Sequence, residues 1–256
     1  MNDPLVSVGT LSYNSASFIR ETIRSVLSQT YGNWEYVICD DCSTDDTVGI
    51  IKSYGDPRIK VFINEKNLGY IENGIRLRRY LGGAFVKVLD HDDILYADCL
   101  RRQLDVLLSR PDAGMVTCDA DFVNAAGKKL YVNRVPFKND TASRKQVLDR
   151  MFLTARNSFI DGSRVMLRRE ALDRDFPLAA GEKLYIIREP LCAYRVLPSS
   201  LQIRISCIND FRKGYKSLYL NRELGISRLQ YINVCIVNFI NYFFRSLLKV
   251  LFNIWK

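Results

Sequence analysis

An apolar strand that ends in carboxylates is the feature that most restricts how this chain can fold. Residues 85–93 read Phe-Val-Lys-Val-Leu-Asp-His-Asp-Asp and follow the glycine pair Gly82-Gly83. Such a run predicts a buried parallel strand, whose acidic end emerges at the edge of a sheet. Ligands of open α/β sheets bind at that edge, so the stretch predicts a fold class and the position of a site.

The three carboxylates at this strand end are close enough to interact strongly. Asp90, Asp92 and Asp93 would repel one another and have raised pKa values unless a cation or a hydrogen-bonding ligand stabilises their charged forms. Mg²⁺ or Mn²⁺ is a natural counter-charge, because these ions take oxygen ligands and keep positions open for substrate phosphate oxygens. A simpler interpretation stays open, in which Asp92 or Asp93 only caps the next helix.

Strand-like runs alternate with stretches of helical periodicity through the first part of the chain. The predicted strands are Leu5–Leu11, Trp34–Cys39, Ile59–Ile63 and Phe85–Leu89. The predicted helices lie near Phe18–Leu27, Val48–Ile51 and Tyr70–Leu81. This alternation predicts an α/β fold, with a Rossmann-like, doubly wound, mostly parallel sheet and helices on both faces.

Length and composition set the broad class of protein. A chain of 256 residues with 48% hydrophobic content can form one large α/β domain, or a domain with an appendage. The N-terminus has no basic region leading into an apolar stretch, so we expect no secretory signal and a cytoplasmic location.

Seven cysteines without framework spacing fit a reducing compartment. The pair Cys39 and Cys42 lacks a second pair or a histidine cluster, which argues against a zinc or redox site.

Polar side chains follow three of the predicted strands. Tyr13 comes after the first strand and could lie against a base, whereas Asp41 follows the second and could accept hydrogen bonds from a base or a sugar. The carboxylates of Asp90–Asp93 could hold a metal-bound diphosphate. Ser43 or Asp45 could cap the helix that follows the second strand. Capping does not require the two further carboxylates at the end of that strand.

With these residues in place, the chain resembles the nucleotide-sugar-binding fold of family 2 glycosyltransferases, the GT-A architecture. The matching pieces, in chain order, are Val6–Asn14, Ser25–Tyr31, Asp40–Thr47, Asn67–Gly69 and Leu89–Asp93. Each piece is weak alone, but five in this order make a specific match. The chain departs from the family pattern at Cys42, where a small glycine is usual, and at Leu11, where proline is common.

The resemblance implies a donor site built from these pieces. Its nucleotide-sugar-binding residues would be Leu11, Tyr13, Asn14, Asp41, Asn67 and Asp90. The acidic stretch would be the family's Asp-x-Asp motif, in which one carboxylate meets the ribose and the last binds Mn²⁺ or Mg²⁺. We assign the metal to Asp92 and Asp93, although the sequence leaves open whether the motif is Asp90 with Asp92 or Asp92 with Asp93.

The implied activity is metal-dependent transfer of a sugar from a nucleotide-diphosphate sugar to a saccharide or lipid-linked acceptor in cell-surface polysaccharide synthesis, with inversion at the anomeric carbon. A second class of function is a nucleotide-sugar-binding or scaffold protein descended from such an enzyme. A nucleotidyltransferase would share the fold but should carry a glycine-rich basic loop after the first strand. The stretch Ser12–Ser15 is not such a loop.

The general base is the part of the family pattern that this sequence lacks. Relatives of this kind place it in an acidic pair that opens a helix before the final strand. Here the stretch 173–183 is too short for a loop and a normal helix. Asp161, just ahead of Gly162, is a weak candidate for the base, and the competing hypothesis is slow or absent transfer.

The C-terminal part of the chain differs in character from the rest. We predict a GT-A domain over 1–203, with a nucleotide-binding half 1–110 and an acceptor half 111–203, and a basic helical tail over 204–256. Residues 207–256 hold eight Lys and Arg against two Asp and Glu. From residue 229 onward, a narrow polar stripe in an apolar stretch predicts an amphipathic helix lying on an anionic membrane surface.

This tail sets the expected partners and location. We expect a cytoplasmic protein held peripherally on the inner face of the membrane through 229–256. Packing of the tail on the domain itself, or on a second subunit in a homodimer, is the alternative. Nucleic acid is not expected as a partner, because the α/β part has no recognised binding motif and no basic-aromatic stripe.

Overall fold

The computed structural model describes residues 3–154, 162–174 and 177–197. Its strands are β1 (Val6–Ser12), β2 (Trp34–Asp40), β3 (Ile59–Ile63), β4 (Phe85–Val88), β5 (Ile94–Leu95), β6 (Ala113–Val123), β7 (Lys129–Asn133), β8 (Thr141–Ser143), β9 (Met166–Arg168) and β10 (Lys183–Arg195). Its α-helices are α1 (Ile19–Leu27), α2 (Thr47–Lys52), α3 (Tyr70–Tyr80), α4 (Cys99–Ser109) and α5 (Arg144–Thr154). Two short 3-10 helices cover Gly162–Arg164 and Arg169–Asp173.

The strands form one mixed sheet, which confirms the predicted α/β fold class. Its strand order is β3-β2-β1-β4-β9-β6-β10-β5, with β7 paired to β6 and β8 paired to β10. The strands β1 to β4 pair in parallel, and β10 runs parallel to β6. Between these two parallel groups, β9 runs antiparallel to both β4 and β6. The order places the predicted acidic strand near the middle of the sheet.

Helices cover both faces of the amino-terminal half, which explains the continuous apolar runs of its central strands. On one face, Ile19 and Ile23 of α1 belong to the same core cluster as Val8 of β1. On the other face, Leu77 of α3 packs in a cluster with Val37 of β2. Every residue of β2 is buried, as expected for a strand that is covered on both sides.

A polar network fixes the start of β4 against its neighbours. Glu35 Oε1 accepts hydrogen bonds from Ser7 Oγ (2.6 Å) and the Gly82 amide (2.6 Å), while its Oε2 accepts from Lys60 Nζ (2.7 Å). Although burial works against it, these hydrogen bonds hold the pKa of the Glu35 carboxyl below its usual value. A Cβ on Gly83 would lie 2.6 Å from Leu5 O, so only glycine allows this close approach of the backbones.

The acceptor half differs in detail from the sequence prediction. The sequence pattern there predicts a strand from Gly114 to Cys118. The observed strand β6 extends to Val123, because it pairs along its length with β10 and at its end with β7. The same pattern favours a solvated strand terminus for Asp119 and Asp121 over contact with an acceptor sugar. In the structure both residues lie within the strand and are buried.

The chain divides into two compact units. The first unit comprises Met1–Arg144 and Ser158–Val196, and it contains the sheet. The second comprises Lys145–Asn157 and Leu197–Lys256, of which the described part is residues 145–154, all within α5, and Leu197. The predicted tail helix over 229–256 and the predicted boundary at residue 203 lie outside the described residues. Among the helices that the structure describes, none is both long enough and apolar enough to span a bilayer.

Candidate functional site

The candidate site lies where β1, β2 and β4 end. These strands are parallel and in register, with Ser12 opposite Asp40 and Gly9 opposite Val88, so their carboxyl ends open at one edge of the sheet. The loops that follow them carry the predicted nucleotide-binding and acidic residues. The sequence prediction that these stretches share one edge is therefore confirmed by the topology.

The loops after β1 and β2 are tied together by hydrogen bonds. Asp40 Oδ2 accepts from Ser12 Oγ (2.8 Å) and from Ser43 Oγ (2.6 Å), and Asp40 Oδ1 accepts from the Ser43 amide (2.8 Å). The Asn14 amide donates to Ser43 Oγ (2.9 Å), and Asn14 Oδ1 accepts from the Thr44 amide (2.8 Å). Asp40 is fully buried, so its carboxylate shapes this edge rather than facing a ligand.

Two residues of these loops have left-handed backbone conformations. Asn14 has φ 47° and Cys42 has φ 63°. Asparagine tolerates this region, but a cysteine pays a steric penalty because of its Cβ. The conformation is consistent with the small glycine that the family pattern has at this position, whereas the structure gives no reason for the cysteine.

Asp41 organises the loop that follows β3. Its Oδ1 accepts hydrogen bonds from Asn64 Nδ2 (2.7 Å) and the Leu68 amide (2.8 Å), and its Oδ2 accepts from the Gly69 amide (2.8 Å). Gly69, with φ 83°, also donates to Asn67 Oδ1 (3.0 Å). Asp41 is nearly buried, so three protein donors hold its carboxylate in a fixed position at the site.

Leu11 and Tyr13 occupy different environments at the end of β1. Leu11 is partly buried and packs against the core cluster that includes Leu77. Tyr13 is 45% exposed, so its ring is accessible at the edge where a base was predicted to lie. Asn67 is exposed in the loop that Asp41 holds.

The three carboxylates of the acidic stretch have unequal surroundings. Asp93 is fully buried, and its Oδ2 accepts from Ser163 Oγ (2.6 Å) while its Oδ1 accepts from the Arg195 amide (2.8 Å). Burial, together with the neighbouring charges of Asp90 and Asp92, raises the pKa of Asp93 well above its ordinary value. Asp90 and Asp92 are only partly buried.

The 3-10 helix Gly162–Arg164 lies directly against the acidic stretch. Ser163 Oγ accepts from the Asp90 amide (3.0 Å), and a Cβ on Gly162 would lie 2.5 Å from Asp90 Oδ2. Lys87 is fully buried in β4 and donates to Ser163 O (2.7 Å) and Gln103 Oε1 (2.8 Å). This anchoring role was not predicted from the sequence, although a lysine inside an apolar strand is a signal for it.

Two residues of β10 complete the surroundings of the acidic stretch. Tyr194 Oη donates to Asp90 Oδ2 (3.2 Å). The sequence alone allows Arg195 either to meet a donor phosphate or to lie on the surface. In the structure its side chain is 1% exposed. Its guanidinium donates to Glu21 Oε2 (2.5 Å), the Asp92 carbonyl (2.9 Å) and the Ala125 carbonyl (2.6 Å). Arg195 is therefore a buried side chain that holds the loop at Asp92 in place through hydrogen bonds.

The acidic stretch Asp90–Asp93 does not by itself form a complete metal site. Across residues 3–154, 162–174 and 177–197, no group of three or more histidine, cysteine, aspartate or glutamate side chains is placed to hold a metal by itself. Mg²⁺ and related ions often take only one or two carboxylates and complete their shell with water and substrate phosphates. The partly exposed carboxylates of Asp90 and Asp92 match that pattern better than the buried Asp93 does.

The weak base candidate, Asp161, lies outside the described residues. Its neighbour Gly162 is described and adjoins Asp90. The stretch between β9 and β10 contains the 3-10 helix Arg169–Asp173, and β10 begins at Lys183, in agreement with the short segment predicted there.

Comparisons with known protein families and sequences agree on one family. The model of the family described as "Glycosyl transferase family 2" matches residues 7–176. An uncharacterised protein of Sinorhizobium fredii is 30% identical over 214 residues, which cover 78% of this chain and 23% of that protein. The Escherichia coli UDP-Glc:alpha-D-GlcNAc-diphosphoundecaprenol beta-1,3-glucosyltransferase WfgD is 41% identical over 108 residues, 42% of this chain and 43% of WfgD. The matches thus span less than half the length of these relatives.

A solved structure gives the same picture of the fold. TarS from S. aureus, residues 1–349, superimposes with a TM-score of 0.65 at 18% identity, covering 94% of this chain and 72% of that one. The same TarS fragment has been solved in complex with UDP-GlcNAc, with a TM-score of 0.64 at 18% identity over 90% of this chain and 79% of that one. At this level of identity the likeness establishes the fold.

Proposed function

The chain belongs to glycosyl transferase family 2, and from this premise we propose that it transfers a sugar from a nucleotide-diphosphate sugar to a saccharide or lipid-linked acceptor in cell-surface polysaccharide synthesis. The observation that carries the proposal is the meeting of the Asp41 loop and the Asp90–Asp92 carboxylates at one sheet edge. The transferase names among the relatives favour an enzyme over a scaffold protein.

We assign the nucleotide to the loops after β1, β2 and β3. The exposed ring of Tyr13 can lie against the base, while Leu11 supplies apolar contact beneath it. Asp41 holds the turn with Asn67, and these two residues and Asn14 offer polar atoms to the base and the ribose. The fixed carboxylate of Asp41 lowers the entropy that binding has to remove.

We assign the diphosphate to Asp90 and Asp92, through Mn²⁺ or Mg²⁺. Such an ion offsets the negative charge that grows on the departing diphosphate. The buried contacts of Asp93 support Asp90 with Asp92 as the Asp-x-Asp pair, and Asp93 then holds the protein side of the loop. Tyr194 Oη orients Asp90 by donating to its Oδ2.

Transfer with inversion needs a base that takes the proton of the acceptor hydroxyl. Asp161 is our candidate, since it directly precedes Gly162, which adjoins Asp90. Loss of a general base typically slows transfer by about 10²–10⁴-fold. Asp161→Asn should therefore slow transfer and leave donor binding unchanged, and undiminished transfer would assign the base elsewhere. An enzyme impaired by the absence of a base is the second candidate, and slow wild-type transfer would favour it.

We also propose that residues 229–256 hold the protein peripherally on the inner face of the membrane. The basic residues Arg245, Lys249 and Lys256 favour anionic lipid, at about 1 kcal/mol for each charge near the surface. Replacing all three by glutamate in the full chain should abolish sedimentation with phosphatidylserine liposomes. Unchanged sedimentation, or a change of oligomeric state instead, would favour packing of the tail in a homodimer.

Calorimetry with a panel of nucleotide sugars tests the donor proposal most directly. UDP-glucose and UDP-GlcNAc should be included, each with Mn²⁺ and with a chelator. At least one donor should bind only with the metal, and Asp90→Asn or Asp92→Asn should weaken that binding at least tenfold. Asp105→Asn, an exposed carboxylate on α4, is the matched control and should bind as the wild type does. Equal binding with and without metal would contradict the assignment.

A further inference from the structure

Three aromatic side chains form a continuous row across strands β7, β6 and β10. Tyr131 is the partner of Phe122 in the antiparallel pair, and Tyr194 is its partner in the parallel pair. The ring centroids of Tyr131 and Phe122 are 5.0 Å apart, and those of Phe122 and Tyr194 are 5.5 Å apart. Because these partners share one register, the three rings line the same face of the sheet.

This aromatic row leads from solvent to the proposed diphosphate site. Tyr131 at its outer end is 54% exposed, Phe122 in the middle is buried, and Tyr194 at the inner end donates to Asp90 Oδ2. A ring on an exposed strand gains little for stability, so the exposed face of Tyr131 is available for a ligand. Tyr131 and the partly buried Tyr194 are thus the rings of the row that a ligand can contact, and Tyr194 adjoins Asp90.

Arg164 lies beside the row with most of its hydrogen-bonding capacity unused. Its Cζ is 5.7 Å from the centre of the Phe122 ring, and its side chain is almost fully buried. Its Nη2 donates to the Asn133 carbonyl (3.1 Å), whereas Nε and Nη1 have no hydrogen-bond partner in the part of the chain that the structure describes. Within the described part of the chain, no carboxylate lies within ion-pair distance of this guanidinium.

A buried guanidinium without a counter-charge is costly, because the interior does not replace the water that it loses. An oxyanion that binds at Nη1 would accept a charge-assisted hydrogen bond from a group that has no protein acceptor. Arg164 is thus suited to an anion that arrives with a ligand.

We infer that the aromatic row is the subsite for the acceptor sugar, and that this sugar carries a negatively charged group, a phosphate or a carboxylate, that pairs with Arg164. The inference rests on the proposed transferase function, since that function supplies the acceptor. The apolar C–H face of a pyranose packs on aromatic rings, while its hydroxyl groups stay free for hydrogen bonds. An acceptor held there reaches towards Asp90, where the donor sugar would be.

Titrations with small anionic sugars, followed by saturation-transfer NMR in the presence of UDP, test the inference. The probes are α-GlcNAc 1-phosphate, methyl β-glucuronide and the neutral methyl β-glucoside. At least one anionic probe should bind the full-length wild type more tightly than the neutral glycoside. Which of the two binds better distinguishes a phosphate from a carboxylate as the recognised group.

Substitutions on β7 show whether the row is the site. Tyr131→Ala should weaken binding of the preferred probe about 3- to 10-fold, whereas Tyr131→Phe should keep it, because the ring face is retained. Leu130→Ala is the matched control, since Leu130 is equally exposed and adjacent on the same strand. Arg164→Gln should weaken the anionic probe about 10- to 100-fold and leave the neutral glycoside unaffected.

Binding of a UDP sugar, measured on each variant, separates the two proposals. The donor should bind wild type and Tyr131→Ala equally well. If the wild type does not bind the UDP sugar, the proposed function is contradicted, while the probe titrations still report on the aromatic row. Equal probe binding by Tyr131→Ala and Leu130→Ala, no binding of either anionic probe to wild type, or a preference for the neutral glycoside would overturn the inference. Should Arg164→Gln not fold, the Tyr131 pair and the probe preference still decide it.

Discussion

The main-chain amide of Arg195 donates a hydrogen bond to Asp93 Oδ1 across 2.8 Å. The other carboxylate oxygen of Asp93 accepts from Ser163 Oγ at 2.6 Å. Asp93 therefore joins the end of the central strand to β10 and to the 3-10 helix Gly162–Arg164. This relationship divides the acidic stretch into one buried carboxylate that supports the fold and two that are only partly buried.

Asp93→Ala should destabilise the protein much more than Asp92→Ala does. The first change leaves two buried donors without an acceptor, at about 1–3 kcal/mol each. The second removes a partly exposed side chain for which the effect should stay within about 0.5 kcal/mol. Urea unfolding measures both, and calorimetry should show the reverse order for the loss of metal-dependent donor binding in folded protein. Equal loss of stability in the two variants would refute this division of roles.

Asp41→Ala should loosen the turn at Leu68 and Gly69. Both amides lose the Asp41 carboxylate as acceptor, and Gly69 then keeps only the longer hydrogen bond to Asn67 Oδ1. Exchange of these two amides with solvent should become about 10- to 100-fold faster, as expected for about 1–3 kcal/mol of lost interaction. Asp46→Ala is the control, because Asp46 is exposed in the loop after β2, as is typical of a solvated carboxylate, and makes no side-chain cap hydrogen bond to α2. Unchanged exchange in Asp41→Ala would mean that other contacts hold the turn.

Glu35 should give the stability of the protein a dependence on pH in the acidic range. Its pKa is lowered in the folded state, because hydrogen bonds from Lys60, Ser7 and Gly82 outweigh the effect of burial. A lowered pKa stabilises the fold above the unfolded value, about 4.3 for glutamate, and this contribution is lost as the pH falls through the folded value.

The difference in unfolding free energy between wild type and Glu35→Gln should therefore be largest at neutral pH and shrink below about pH 4.3. Chemical denaturation at several pH values measures it. Glu65→Gln, at an exposed position, should show no comparable trend. A difference that grows towards acid would reverse the assigned sign.

The two adjacent glycines before β4 should respond differently to alanine. In Gly83→Ala the new Cβ would lie 2.6 Å from Leu5 O and 2.7 Å from the Ser7 amide nitrogen, both backbone atoms of the sheet. The strand must shift, at a cost of about 1–3 kcal/mol or more. In Gly82→Ala the nearest atom is Glu35 Oε1 at 3.2 Å, so a smaller change is expected. Thermal unfolding compares them, and equal melting temperatures would show that the backbone can adjust at Gly83.

Local sequence was sufficient to predict the strands and helices of the amino-terminal half. The strands Trp34–Asp40 and Ile59–Ile63 and the helix Tyr70–Tyr80 lie within one residue of their predicted bounds at each end. Their periods and bounding residues are local properties, and parallel strands must open at a common edge. For the same reason, the sequence predicts that the strand ends next to Asp41 and Asp90 lie at one edge of the sheet, as the register of β1, β2 and β4 shows.

The pairing of strands that are distant in the chain could not be predicted from local sequence. The insertion of β9 between β4 and β6, in the opposite direction, depends on a segment that comes about 80 residues after β4. The extension of β6 to Val123 depends on its partners β7 and β10, and it buries Asp119 and Asp121. A three-residue strand such as Met166–Arg168 is too short for its sequence pattern to predict which strands it pairs with.

The sequence by itself determined the α/β fold, the family and the edge at which the carboxylates gather, because these follow from hydrophobic period, turn residues and motif order. Only the tertiary structure decided which carboxylate is buried, that Arg195 turns inward, and that Tyr131, Phe122 and Tyr194 stand in one row. The physical reason is that burial and hydrogen-bond partners are set by segments far apart in the chain. Asp92 and Asp93 are neighbours in sequence, yet contacts from Ser163 and Arg195 give them different surroundings.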